Sequence, residues 1–262
     1  MVSLSTRPRA FLSGYGLGLS GAVAALVLSL LGVLVLQVLG LAGLEVPAAG
    51  RLVALLVLGQ YVPFMGLPLL YLRVGREFSW PEVRSYFGVR LPSLMEVGVY
   101  VGGLIALFAL VSGTAFLVTE VLNLTPASNN AGELAQQSPG LAPLLIVASI
   151  LVIGPCEETL FRGVVQNRIR EAFSAPVAIT LAAALFAAIH VTALTGGLGA
   201  RAVTIVILLV PSFVFGAAYE VTDNLVVPAA IHGTWNALIF TSIYLAARGA
   251  IPAGETVLLP FV

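Results

Sequence analysis

Residues 143–165 read PLLIVASILVIGPCEETLFRGVV, a run long enough to cross a bilayer that still carries Glu157, Glu158 and Arg162. Two tendencies conflict in it. About 20 predominantly apolar residues make a transmembrane helix. Yet each Asp, Lys or Arg at the bilayer centre costs about 2.5 to 3.5 kcal/mol by insertion scales, and glutamates face a comparable penalty. The apolar residues fix the environment, and the charges then need a reason to be there.

The remainder of the chain has the same character. Of 262 residues, 59% are hydrophobic and 9% charged, with a mean hydropathy of +1.06. No soluble domain of that size could cover so much apolar side chain with polar surface. Apolar runs bounded by charge or by Pro/Gly clusters predict spans near 19–41, 52–72, 97–119, 143–165, 176–195, 202–219 and 226–246. The expected fold is all-α, a polytopic transmembrane helical bundle of about seven spans, with eight as the upper count. The last twelve residues are too short and Pro-interrupted to supply another. The run from Gly16 to Leu44 behind Arg7 and Arg9 exceeds a signal peptide's apolar core of roughly 7 to 15 residues, so it is expected to stay as the first span.

Three regions are expected: a three-span part at 1–140, a core at 141–246 and a short tail at 247–262. Within the first, 73–96 reads as an interfacial loop, either plain or containing a short amphipathic helix around Trp80. The polar stretch NLTPASNNAGELAQQSPGLA at 123–142 reads as a flexible external loop. The formal net charge is +0, from 12 basic and 12 acidic residues, which leaves no global field to attract nucleic acid. The arginines are unevenly spread: Arg7, Arg9, Arg73, Arg76, Arg84, Arg90, Arg168 and Arg170 fall on one side, and Arg51, Arg201 and Arg248 on the other. That bias predicts a cytoplasmic N-terminus, and the expected location is the cell membrane. A single Cys156 allows neither an internal disulfide nor a cysteine metal cluster.

Two glycine patterns carry no chemistry. Gly16, Gly18 and Gly21 spell G-x-G-x-x-G, but no strand precedes them, so a nucleotide site is not expected. Gly98 and Gly102, a G-x-x-x-G pair, are expected to permit close helix packing.

Polar residues inside spans concentrate in three places: Cys156-Glu157-Glu158-Thr159-Leu160-Phe161-Arg162, Phe186-Ala187-Ala188-Ile189-His190 and His232-Gly233-Thr234-Trp235-Asn236. Glu158 and Arg162 stand at i, i+4 and can pair, while Glu157 is rotated about 100° away. Arg162 should keep Glu158 ionised, which leaves Glu157 as the carboxylate free to act as a general base. His232 and Asn236 also stand at i, i+4 and could grip one oxygen atom together. Counting from a hairpin near Ser174 puts Glu157 and His190 level, with all three motifs in the cytoplasmic half of the bilayer or near its midplane. Taken singly, an ion pair that fixes helix packing, or a histidine that bonds a neighbouring helix, is the plainer account of each. The joint occurrence of the three, in order, on three apolar segments is much harder to ascribe to chance.

These motifs resemble the signature of the CAAX-protease and bacteriocin-processing family of intramembrane proteases, which includes the Ras-converting prenyl-protein endopeptidase. The resemblance covers roughly 141–246 and includes every signature position. It implies cleavage of a peptide bond in a membrane-anchored protein or peptide, with Glu157 matching the catalytic glutamate and His190, His232 and Asn236 its partners. Glu158, Arg162 and Phe186 are expected to support them. The expected mechanism is free of cofactors: Glu157 and His190 polarise a water, and His232 and Asn236 stabilise the oxyanion. The competing expectation is zinc held by His190, His232 and either Glu157 or Glu158, although the H-E-x-x-H helix is missing. Two rival functions are a proton-coupled transporter, for which no repeat is visible, and a non-catalytic scaffold or chaperone of the same family.

Overall fold

A computed structural model describes residues 6–251, so the last twelve residues of the chain lie almost wholly outside it. Seven helices are long and apolar enough to cross a membrane: α1 (Arg7–Leu41), α2 (Ala48–Gly75), α4 (Leu94–Val121), α6 (Pro139–Arg170), α7 (Ala175–Ala193), α8 (Leu198–Thr222) and α9 (Val226–Ala247). The short helices α3 (Trp80–Tyr86) and α5 (Asn130–Gln137) interrupt the connections. Every expected span is present, and no strand occurs among the described residues. Each helix satisfies its own backbone hydrogen bonds, which lipid cannot do.

At one end of the bundle the arginines tie the helix ends together. Arg76 bonds Glu171 at 3.0 Å, Arg170 bonds Glu220 at 2.8 Å, and Arg90 joins Glu96 at 2.7 Å and the Thr222 carbonyl at 3.0 Å. Burial alone would push the Glu171 carboxyl up, but hydrogen bonds from Arg168 and Arg76 outweigh it and hold that carboxyl below its ordinary value. Ser79 starts α3 with a capping box closed by Glu82. Of the two forms expected for 73–96, the structure therefore has the helical one, with Val83 and Phe87 buried beneath it.

The opposite end departs from expectation. The 123–142 stretch is docked onto the bundle: the Ala127 N–H donates to Thr204 Oγ1 at 2.8 Å, Asn129 pairs with Leu194, and Thr195 Oγ1 donates to Glu133 at 2.7 Å. The stretch, whose polarity suggested mobility, finds partners on the short α7–α8 connection and on α8 itself. The glycines differ too. Gly98 and Gly102 face open space, whereas a Cβ on Gly103 would lie 2.7 Å from Ile231. Gly18 and Gly21, set aside as a false nucleotide motif, let α1 approach Leu185 and Leu160, where a Cβ would come within 2.5 and 2.7 Å.

The tightest approach joins α6 to α9. A Cβ on Gly154 would meet the Ala229 carbonyl oxygen and the Gly233 nitrogen, each at 2.8 Å. Backbone cannot yield as a side chain can. Gly154→Ala is expected to cost about 1–3 kcal/mol through overpacking and to lower the unfolding temperature in detergent, while Gly98→Ala leaves it unchanged.

Candidate active site

Around the double glutamate, α6 is irregular. Pro155 lies within Gly154–Glu158, and wide i→i+5 hydrogen-bonded turns occupy Ser149–Ile153 and Thr159–Gln166 on either side. Such turns reposition side chains and often mark functional sites. Here they present Glu157 and Glu158 to different neighbours.

Glu158 is fully buried and serves as the structural member. Its Oε1 accepts from Arg162 Nη1 at 3.0 Å and lies 2.8 Å from His232 Nδ1. Arg162, equally buried, donates in addition to the carbonyl and hydroxyl of Ser212, each at 2.8 Å. The Phe186 and Phe215 rings lie 4.9 and 5.3 Å from its guanidinium carbon. These partners and the two aromatic faces replace part of the water that both charges have lost, while Glu158 Oε2 and Arg162 Nε are buried without a hydrogen-bond partner among the described residues.

Glu157 has no such countercharge. Its Oε1 accepts from Gln60 Nε2 at 3.1 Å, and its Oε2 lies 4.0 Å from His190 Nε2 and 3.9 Å from His232 Nε2. Those gaps exceed a direct hydrogen bond and match groups that share an intervening small molecule. The tautomers follow from the opposite ring atoms. His190 Nδ1 stands 2.6 Å from the Phe186 carbonyl, which can only accept, so Nδ1 carries a proton. His232 Nδ1 faces a carboxylate and is protonated for the same reason. Both Nε2 atoms are thereby directed at Glu157. Phe215 stacks on His232 at 4.6 Å and 13°, fixing the plane of that ring.

Glu157, His190, His232 and Asn236 all line one cavity of about 810 Å³. Glu158, Arg162 and Phe186 bear on it as supports. Cys156 is buried among Phe161, Leu160 and Val165, as a packing residue would be. His232 and Asn236, expected to act together on one oxygen, both line the cavity; His232 Nδ1 is held by Glu158, and the Asn236 side chain forms no hydrogen bond among the described residues. Glu158 was also a candidate metal ligand, and its Oε1 is already engaged by Arg162 and His232.

The metal expectation can be tested on the remaining donors. A tetrahedral zinc with bonds of about 2.0–2.2 Å sets its ligands about 3.4 Å apart. Glu157 Oε2 stands 3.9 and 4.0 Å from the two Nε2 atoms, and no group of three His, Cys, Asp or Glu is placed to hold a metal among the described residues. The donor types suit zinc; their spacing does not.

Three contributors escaped the sequence reading. Gln60 is the lone amide in the apolar run of α2, and its polarity in a span was the available signal. Ser212 and Phe215 look like ordinary membrane residues, and nothing local distinguished them.

The fold and these contacts define a class: a polytopic α-helical membrane protein with a site of ionisable groups enclosed between its helices. Residues 139–238 match the family model described as Type II CAAX prenyl endopeptidase Rce1-like. That segment, which contains all three motifs, is similar to this family of membrane endopeptidases. Searches of curated proteins and of solved structures returned no match.

The buried ion pair gives a prediction of its own. Arg162→Met strands the Glu158 carboxylate and should cost about 3–5 kcal/mol, read as a lower unfolding temperature. The double replacement Glu158→Gln with Arg162→Met should recover part of that loss.

Proposed function

We propose that the protein is an intramembrane endopeptidase that hydrolyses a peptide bond of a membrane-anchored protein or peptide, using water activated by Glu157. The observation that carries this reading is the convergence of Glu157 Oε2 with two imidazole Nε2 atoms in the wall of a cavity. The family match over residues 139–238 supports the class of reaction; the roles below are our own assignment.

In this mechanism a water lies between Glu157 and His190. His190 Nε2, unprotonated, accepts one of its hydrogen bonds, and Glu157 removes a proton as the oxygen attacks the scissile carbonyl. Asn236, on the same face of α9 as His232, donates its amide hydrogen to the oxyanion. His232, held through its Nδ1 contact with Glu158, keeps its ring turned toward Glu157 in the same cavity. The proton held by Glu157 then passes to the leaving amine. No step requires a metal or a side-chain nucleophile. The uneven arginine distribution supports an orientation with the N-terminus in the cytoplasm.

Glu157→Gln should reduce cleavage of host membrane proteins by at least about a hundredfold while the protein still folds and inserts. His190→Ala should be comparably damaging, Cys156→Ser nearly silent, and chelators without effect. Full activity in Glu157→Gln contradicts the role of Glu157, and stoichiometric zinc with chelator-sensitive cleavage contradicts the metal-free mechanism. Gln60→Leu removes a hydrogen bond to a charged group, worth about 1.5–3 kcal/mol, and should lower kcat more than it raises KM.

A further inference from the structure

We infer that the indole N–H of Trp235 binds a main-chain carbonyl of the substrate beside the scissile one, so that the cavity holds a peptide by its backbone. This rests on the peptidase reading above and specifies how that site recognises its substrate.

Trp235 lies on α9 between Thr234 and Asn236. At 3.6 residues per turn, His232, Trp235, Asn236, Ile239 and Phe240 share one helix face, and all five line the cavity. Trp235 is only 5% exposed and belongs to the apolar cluster that includes Leu107, Val111 and Leu145. That packing accounts for an aromatic ring, and a phenylalanine would serve it as well. It does not account for the indole nitrogen. A buried tryptophan N–H ordinarily has an acceptor, because a donor taken out of water and left unpaired is costly. The neighbours on α9 obey this rule: Thr234 pairs with Tyr100 at 3.1 Å and His232 with Glu158 at 2.8 Å. The Trp235 N–H, by contrast, donates to no acceptor among the described residues. Nor is it one of the unpartnered atoms sealed inside the protein, such as Arg162 Nε and Gln166 Oε1, so it opens on the cavity that its residue lines.

A lone donor in an apolar wall selects for an acceptor. An extended peptide offers a carbonyl at every residue, and those on one edge recur about every 6.6 Å. Asn236, whose amide is assigned to the oxyanion, is the next residue along α9 and is rotated about 100° from Trp235. Two adjacent donors of one helix can therefore take two carbonyls of one chain, the reacting one at Asn236 and its neighbour at Trp235. Val111, Ile239 and Phe240 in the same wall supply apolar contact for the flanking side chains. Recognition of this kind depends on an extended backbone with apolar side chains and depends little on their order.

The full chain carrying Glu157→Gln, labelled with nitrogen-15 at its two tryptophans, Trp80 and Trp235, gives two indole signals in detergent, which Trp80→Phe assigns. The probe is an acetylated, amidated pentapeptide of Leu, Val and Ala. It should move the Trp235 indole proton downfield and leave Trp80 in place. Adding Trp235→Phe should weaken its binding by roughly three- to tenfold, the size of one neutral hydrogen bond. Unchanged affinity in Trp235→Phe, a Trp235 signal that does not move at saturation, or no binding of the peptide overturns the inference. Should Trp235→Phe fail to fold, the Trp235 signal of the parent chain decides alone. A shift produced by phosphatidylcholine and unaltered by peptide assigns the N–H to a lipid carbonyl and likewise overturns it. The signal reports an uncleaved complex and is independent of the chemistry. If the peptide shifts Trp235 but the wild type cleaves neither it nor any membrane protein, the peptidase reading fails and the carbonyl site stands.

Discussion

Glu158 and Arg162 form a buried ion pair one helical turn apart, out of reach of water, and the geometry of the site is organised by it. Breaking such a pair is costly because the surviving charge is left uncompensated. The pair is therefore a fixed point, and His232 is anchored to it through a 2.8 Å contact with the same carboxylate oxygen. Ser212 draws α8 onto that point, and Phe186 does so for α7 through its ring. Four helices are located by one salt bridge.

The same anchoring gives two adjacent residues of one chemical type opposite roles. Glu158 spends its Oε1 on Arg162 and His232; Glu157, one residue earlier, receives only a neutral amide and faces two imidazole nitrogens. The carboxylate with the countercharge is locked into the helix packing, and the one without it faces the cavity. That division follows from which neighbours each side chain meets.

Much of this was legible in the sequence because lipid imposes simple rules. Span length and hydropathy set all seven helices, and the cost of intramembrane charge singled out Glu157, Glu158, Arg162, His190 and His232. The i, i+4 spacing anticipated the Glu158–Arg162 contact, and hairpin counting anticipated that Glu157 and His190 lie level. What remained hidden depends on three-dimensional placement. The commitment of His232 Nδ1 to Glu158 cannot be read from the spacing of His232 and Asn236. Gln60 comes from a helix outside the motifs, and the docking of 123–142 arises from partners such as Thr204 and Leu194 far along the chain. The exposed Gly98 and Gly102 show that a packing motif gives no indication of whether a partner helix lies beside it.

The central claim, that Glu157 activates a water which attacks the substrate directly, is tested most directly by a single turnover of purified enzyme in oxygen-18 water, with product and enzyme peptides analysed by mass spectrometry. The account predicts one heavy oxygen in the newly formed carboxyl group of the product and none in Glu157. Heavy oxygen in the Glu157 side chain, the mark of a covalent anhydride hydrolysed in a second step, would contradict it.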